Sequence, residues 1–304
     1  MILSVNTGLT SRCVSLIQAY YLLKKYRKGE RLIVLWPVSN DCNIRYEEVF
    51  DKEQFSDLDI KVLAPPPAFI PENIPSLLRK RDFFGVIGEI VKRIKNSLNK
   101  KAILLKYNCV DYFPDRTIGW SGERFSQHCI ESWNSCRKGL EKKKELFIRA
   151  YSELIFDSKE GGAFDYQVIK FADKWMEKAG LIISDSEEYI GIHIRRTDHS
   201  TAIEHSKLET FILMMQEKIM DNTDVRFFLA TDDNEVEKKL KNIFGDRIVT
   251  QPDKYWGRDS EKGMASAIID LLCLSKCKVI IGSYASGFSA FPAHYGNKEL
   301  IICE

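Results

Sequence analysis

The chain has 304 residues and nowhere carries a run of about 18 apolar residues, so no membrane-spanning helix is expected. Its first residues, MILSVNTG, lack a charged n-region and a long apolar stretch, so no signal peptide is expected either. The formal net charge is only +2, which gives no global field that would draw the chain to nucleic acid. Eight cysteines are present, at 13, 42, 109, 129, 136, 273, 277 and 303, and none forms a CxxC pair. No disulfide framework and no cysteine metal site follow from that spacing, which suits a reducing compartment. Cys273 and Cys277 stand at helical spacing in an apolar run and read as core. There is no GxSxG, no HExxH and no Walker A sequence. The expectation is a soluble, cytoplasmic protein, peripheral at most at the inner face of a membrane, with no metal site and no nucleic-acid partner.

What is present is an ordinary globular composition, 44% hydrophobic and 29% charged. At roughly 100–200 residues per domain, the length suggests two domains. Four basic runs lie in the first half: KKYRKGER (24–31), LRKRD (78–82), VKRIKNSLNKK (91–101) and RKGLEKKKE (137–145). They read either as solvated helix faces or as a surface approaching an anionic partner, such as a lipid-linked acceptor at a membrane.

The N-terminus reads strand, loop, helix, strand, with RLIVLWPV (31–38) as the second strand. A Pro-rich loop is expected over 64–75, a helix over 84–98 and a strand over 101–108. A long helix is expected over 132–156, and an amphipathic helix over 164–180 that ends at Gly180. The second half is more regular. Strands at 189–195, 225–231, 247–251, 278–283 and 298–303 alternate with helical stretches joined by short loops. That alternation predicts a doubly wound parallel sheet. The first half reads as a less tidy version, so the expected architecture is two Rossmann-like α/β domains facing a cleft, 1–180 and 181–304.

In open parallel sheets, ligands bind beyond the carboxyl ends of the strands. The first such position holds Arg195, Arg196, Thr197, Asp198 and His199. Alternation puts His193 and Arg195 on one side of the strand and Ile194 and Arg196 on the other. Two guanidinium forks at a strand end suit a diphosphate, with Asp198 to hold one of them, and also suit a structural ion-pair knot. The next strand runs into Thr231, Asp232, Asp233 and Asn234, which read as a helix cap or as carboxylates for a purine base or a ribose. The strand at 278–283 runs into Ser283, Tyr284, Ala285, Ser286, Gly287, Phe288 and Ser289. A hydroxyl-rich turn opening a helix suits an anion. Tyr255 and Trp256 read as a stacking pair or a packed loop. In the first half, Gly8 and Arg12 bracket a comparable strand–turn–helix junction, which has only one of the glycines of a GxGxxG fingerprint.

Taken together, these stretches resemble the GDP-fucose fucosyltransferase superfamily, which includes the α-1,6-fucosyltransferases. HIRRTD (193–198) looks like that group's H-x-R-R-x-D signature. FFLATDDNEVEKKLKNIFGDRI (227–248) and GMASAIIDLLCLSKCKVIIGSYASGFSAFPAHYG (263–296) are similar to its next two motifs. NTGLTSRCVSLIQAYYLLKKYRKGERLIVLW is similar to its N-terminal loop, helix and strand, with Thr10 where a second glycine is usual. The resemblance covers 189–296 and about 40 residues at the start.

The resemblance implies a GT-B fold and an inverting, metal-independent glycosyltransferase. Its donor substrate is GDP-fucose, it needs no cofactor, and it acts on a glycan or lipid-linked glycan in polysaccharide biosynthesis. Carried over by motif, Arg195 holds the β-phosphate and Arg196 supports it or faces the acceptor. His193 lies by the guanine or ribose, and Asp232 or Asp233 reads the guanine edge. Ser283, Ser286, Gly287, Phe288 and Ser289 present a helix N-terminus to the phosphates, and Gly8 and Arg12 are counted with the nucleotide-binding candidates. The family pattern has a lysine directly after H-x-R-R-x-D and a glutamate a few residues on. Here His199 takes the lysine position and Glu204 comes one residue late. Glu204, His199, His205 and Asp198 are the candidate general bases. The alternatives are a glycosyltransferase for another nucleotide sugar and a nucleotide- or glycan-binding protein that has lost turnover.

Overall fold

The computed structural model of the protein describes residues 1–5, 7–64, 110–112, 123–142, 146–150, 164–184 and 189–304. The helix expected over 84–98, the strand over 101–108, all but the first residue of the 64–75 loop and the basic runs at 78–82 and 91–101 lie outside the described residues.

The chain divides into two compact units. One comprises Met1–Ser39 and Phe55–Phe164, the other Asn40–Gln54 and Asp165–Glu304. The first unit is built on five parallel strands, β1 (Ile2–Val5), β2 (Leu32–Leu35), β3 (Ile60–Leu63), β4 (Val110–Tyr112) and β5 (Leu146–Ala150). They stand in the order β3-β2-β1-β5-β4. All four residues of β1 are buried, as suits the central strand of a sheet covered on both faces. Helix α1 (Leu9–Tyr26) follows it directly.

Strand β5 corrects the single helix expected over 132–156. Helix α3 (Glu123–Glu141) ends before it, and Leu146–Ala150 lies beside β1, with Leu3 opposite Ile148. The apolar residues 146, 148 and 150 are all buried. Their spacing fits a strand as well as one face of a helix, and pairing with β1 decides between the two. The basic run at 24–31 is laced with acids: Arg27 pairs with Glu30 at 2.8 Å, Arg31 with Asp59 at 2.8 Å, and Lys24 with Asp57.

The second unit recruits a piece of the first half of the chain. Helix α2 (Tyr46–Val49) and its flanks are stitched to the stretch ahead of α4 (Asp173–Ile182). Asp51 N–H donates to Lys170 O at 2.9 Å, Ala172 N–H to Val49 O at 3.0 Å, and the Trp175 indole to Glu48 O at 2.7 Å. Residues 164–172 are therefore not helical apart from a 3₁₀ turn at Tyr166–Val168, and the helix passes through Gly180 instead of ending there. Helix α4, which precedes the boundary expected near 180, packs within the second unit.

The sheet of this unit follows the expected alternation closely. Strands β6 (Tyr189–Ile194), β7 (Arg226–Thr231), β8 (Ile248–Val249), β9 (Val279–Ser283) and β10 (Glu299–Cys303) are all parallel, in the order β10-β9-β6-β7-β8. Between them run α5 (Ser200–His205), α6 (Leu208–Asp221), α7 (Asn234–Phe244), α8 (Glu261–Lys276) and α9 (Gly287–Gly296). Helix α5 is an addition that the sequence pattern did not show. The order reverses direction at β6 and β9, the point at which such sheets open a crevice beyond their carboxyl ends.

Alternation sorts β6 between two layers. Ile190, Ile192 and Ile194 join Phe211 and Met215 of α6 and Val236, Leu240 and Phe244 of α7 in one core. Gly191 faces α8, where an added Cβ would meet Leu274 at 3.0 Å and the Cys277 sulfur at 3.2 Å. Gly282 of β9 admits α9 closely, since a Cβ there would stand 2.5 Å from that of Ser289. These two absent side chains bring α8 and α9 down onto the face that carries His193.

Candidate active site

The site is built where β6 and β9 end side by side. Ser283, the last residue of β9, accepts Arg195 N–H on its Oγ at 3.0 Å and donates to His193 O at 3.3 Å. The hydroxyl thus pins the two strand ends together, so its task is structural. His193, only 3% exposed, lies 2.7 Å through Nδ1 from Ser289 Oγ, which in turn lies 3.2 Å from Ser283 O. One hydroxyl proton serves one acceptor, so Ser289 donates to Ser283 O and accepts Nδ1–H, leaving the lone pair on Nε2. Burial, and after it the Arg195 charge, pulls the imidazole down to about 3, so His193 is neutral at physiological pH.

That shift has a measurable consequence. Unfolded, His193 takes its proton near 6.5; folded, it resists until about 3. The unfolded state therefore binds more protons between those values, and stability is full above 6.5 and falls as the pH drops toward 3. The loss is about 1.4 kcal/mol per pH unit for this one group. Asp270, whose carboxyl is pushed up by burial, opposes this slope in both chains, so the comparison carries the test: urea midpoints at pH 7, 5.5 and 4.5 should fall with pH more steeply in the natural chain than in His193→Gln, by one proton's worth. Equal slopes would contradict the assignment. Asp232, whose carboxyl is held low, contributes only below its ordinary range near 3.8 and leaves this window clear.

Arg195 projects from the end of β6, with its side chain 19% exposed. One arm pairs with Asp232 Oδ2 at 3.2 Å and the other with Asp198 Oδ1. Asp232 gathers the whole turn. It accepts Arg196 N–H at 2.7 Å, Thr197 N–H at 3.2 Å and the Thr197 hydroxyl at 2.6 Å. Burial alone would raise its carboxyl, but the Thr197 hydroxyl, the Arg195 charge and those amides outweigh it and hold it below the usual range. Asp233 is the cap of α7, accepting from Glu235 N at 2.8 Å and Val236 N at 3.4 Å. Both aspartates therefore have structural tasks, one organising the arginine turn and one starting a helix.

Arg196 turns the other way, as alternation requires. Its guanidinium donates to Ser206 O at 2.6 Å, closing the end of α5, and burial lowers its pKa. It supports the turn and does not join Arg195 as a second arm of one clamp. His199 caps the start of α5 through Nδ1, which accepts Ala202 N–H at 3.1 Å. That places its proton on Nε2 and removes it as a ready base. Asp198 has one oxygen on Arg195 and the other on Arg258, which removes it as well. His205 stacks on Tyr284, with ring centroids 4.6 Å apart. Glu204 is exposed on α5 and, among the described residues, carries no hydrogen bond or ion pair, so of the four candidate bases it has the uncommitted carboxylate.

The third segment opens α9. Ala285 takes φ +51°, in the left-handed region, to turn the chain after β9. Ser286 is the cap residue yet makes no side-chain capping bond, while its carbonyl accepts from Ser289 N at 3.0 Å and Ala290 N at 3.1 Å. The ten-residue helix thus opens with no side-chain cap and no acidic residue in its first turn, and Phe288 at its start has its ring 5.1 Å from that of His193. The last segment, 251–258, carries Tyr255 and Trp256, expected as a stacking pair or a packed loop. It rests on a buried ion pair: Lys254 Nζ meets Asp270 Oδ2 at 2.6 Å, with side chains 9% and 5% exposed. Lys254 also donates to Thr231 O at 2.7 Å and lies 4.6 Å over the Trp256 ring, while Gln251 donates to Asp270 Oδ1 at 3.1 Å. Burial pushes the Asp270 carboxyl up even against that lysine. Local sequence gives no signal for this pair, since its members are separated by a loop and more than two helical turns.

In the first unit, Gly8 stands at the start of α1 as expected. Arg12 does not fit its expected nucleotide-binding role. It is 0% exposed and donates to Thr7 O at 2.6 Å, Pro37 O at 2.7 Å and Ser39 Oγ at 3.2 Å, with Trp36 4.8 Å beneath. Its guanidinium ties together the chain ends after β1 and β2. Cys273 and Cys277 are buried free thiols, as read. Among the described residues no cluster of three or more His, Cys, Asp or Glu side chains could hold a metal ion, and no helix is long and apolar enough to cross a membrane.

No family model matches the chain, and neither does any curated protein. Solved structures do. The α-1,6-fucosyltransferase NodZ soaked with GDP-fucose is 18% identical, with 97% of this chain and 91% of that chain covered at a TM-score of 0.56. The fucosyltransferase NodZ from Bradyrhizobium is 17% identical, with 96% and 91% covered at 0.56. POFUT1 in complex with GDP is 11% identical, with 99% and 98% covered at 0.54. The chain shares the GT-B fold of these fucosyltransferases.

Proposed function

We propose that the protein is a glycosyltransferase that moves fucose from GDP-fucose to a hydroxyl of a glycan acceptor, with inversion and without a metal. The observation that carries the reading is that Arg195 and the uncapped start of α9 follow the ends of the neighbouring strands β6 and β9, at the reversal of the second sheet, in a chain that shares its fold with proteins solved with GDP and GDP-fucose. As the bond from sugar to phosphate breaks, negative charge grows on the departing diphosphate. A guanidinium already held by Asp232 and a helix N-terminus already aimed need little rearrangement to receive it. They supply the positive charge that a metal ion supplies in other transferases. Inversion follows from direct displacement, in which the acceptor oxygen attacks the anomeric carbon opposite the leaving diphosphate. The acceptor proton passes to a base, and Glu204 is assigned that role because its carboxylate is uncommitted. A lipid-linked polysaccharide precursor at the cytoplasmic face of a membrane is the proposed acceptor class.

Screening GDP-fucose, GDP-mannose, UDP-glucose and UDP-galactose for release of the nucleoside diphosphate tests the reading. Release from GDP-fucose above the other donors, increased by glycan acceptors, is expected. Preference for another donor would move the assignment to that sugar nucleotide. Tight GDP binding without turnover on any acceptor would make the chain a binding protein of the same fold.

A further inference from the structure

Arg258 lies 60 residues from Asp198 in sequence, yet it is joined to the arginine turn. Its NH2 group meets Asp198 Oδ2 and also Asp41 Oδ1, the latter at 3.2 Å. Asp198 is thus shared: its other oxygen holds Arg195, which in turn leans on Asp232. The result is a row of alternating charge, Asp41, Arg258, Asp198, Arg195, Asp232. Arg258 itself is fixed on both sides. Its carbonyl accepts Asn43 N–H at 3.1 Å, and the Asn43 amide donates to Asp259 O. Gly257, at φ +86°, turns the chain there, and its carbonyl lies where a Cβ on Gly263 would stand, 2.0 Å away. Ser260 caps α8 by accepting Gly263 N–H at 3.1 Å.

We propose that Arg258 is a positioning residue for the donor diphosphate, holding Asp198 so that Arg195 can exchange that carboxylate for phosphate. The inference rests on the reading of Arg195 given above. A phosphate arriving at Arg195 competes with Asp198 for the same N–H donors. With Arg258 present, Asp198 keeps a cation when it lets go. Without Arg258, Asp198 has Arg195 alone and holds it against the phosphate. Asp41, on a segment that enters the unit from the first half of the chain, keeps the Arg258 fork turned toward Asp198.

Calorimetric titration of the full chain with GDP and with GMP separates this role from a structural one. Arg258→Met should weaken GDP about fivefold, the scale of a half-exposed ion pair, and leave GMP within twofold. In an Asp198→Asn background the same change should have no effect, and Arg258→Lys should recover part of the loss. Equal losses for GDP and GMP, a loss that persists with Asp198→Asn, or no loss at all would each overturn the proposal. Arg195→Ala serves as the reference. If it leaves GDP affinity intact, the diphosphate reading itself is wrong. If it removes GDP binding while Arg258→Met does nothing, only the role of Arg258 fails.

Discussion

In the proposed reaction, replacing Arg195 with alanine is expected to slow fucosyl transfer by about 100- to 1,000-fold, the usual effect of removing one preorganised donor from a developing oxyanion. Three features of the structure make the effect large. The guanidinium stands at the sheet reversal, it is oriented by two carboxylates, and its main-chain N–H is fixed by Ser283. Alanine also leaves Asp232 with its amides and hydroxyl but without a guanidinium, so the turn should keep its shape while losing its charge. Arg195→Lys should recover little, because a point charge cannot span Asp232 and a phosphate at once. Steady-state kinetics on GDP-fucose measure this, and circular dichroism checks that the fold persists. A loss below tenfold would remove Arg195 from the chemistry.

The largest expected loss of stability comes from Asp270→Ala. The Lys254 ammonium would lose its carboxylate in a site where it is 9% exposed, leaving it, among the described residues, the Thr231 carbonyl and the Trp256 face. Breaking one side of a buried pair costs about 3–5 kcal/mol. Urea midpoints should fall accordingly, and Lys254→Met with Asp270→Leu together should cost less than Asp270→Ala alone, because no charge is stranded. A single-variant loss under about 1 kcal/mol would mean that Lys254 reaches water and that the pair is a surface contact. Since Tyr255 N–H donates to Ser266 Oγ on α8, the same variant should loosen the loop that carries Trp256 and Arg258.

Much of the second unit was legible because its signals are local. Five short apolar runs, the first four each followed by a helical stretch, point to a parallel sheet, and Arg195, Ser283 and the turn into α9 lie at the strand ends that such a sheet makes prominent. Reading Asp198 as a holder of an arginine succeeded for the same reason, three residues being a reachable distance. What failed needed long-range contacts. Leu146–Ala150 became a strand only because β1 accepts it. Arg12 counts among the nucleotide-binding candidates from its place at a helix start, but Pro37 and Ser39 accept its guanidinium and Trp36 lies beneath it. Asp233 was a cap, the plainer of its two readings, and Asp232 serves the neighbouring turn. Lys254, Asp270 and Arg258 went unremarked as site residues because each acquires its meaning from a partner at least 16 positions away.

A crystal structure of the protein with GDP bound tests the assignment of the Arg195 turn and the start of α9 to the diphosphate. The β-phosphate is expected within hydrogen-bonding distance of the Arg195 guanidinium and of the N–H groups that open α9 at Gly287 and Phe288, with Asp198 remaining on Arg258. Nucleotide bound elsewhere, or at this turn with Arg195 still closed on both carboxylates, would contradict it.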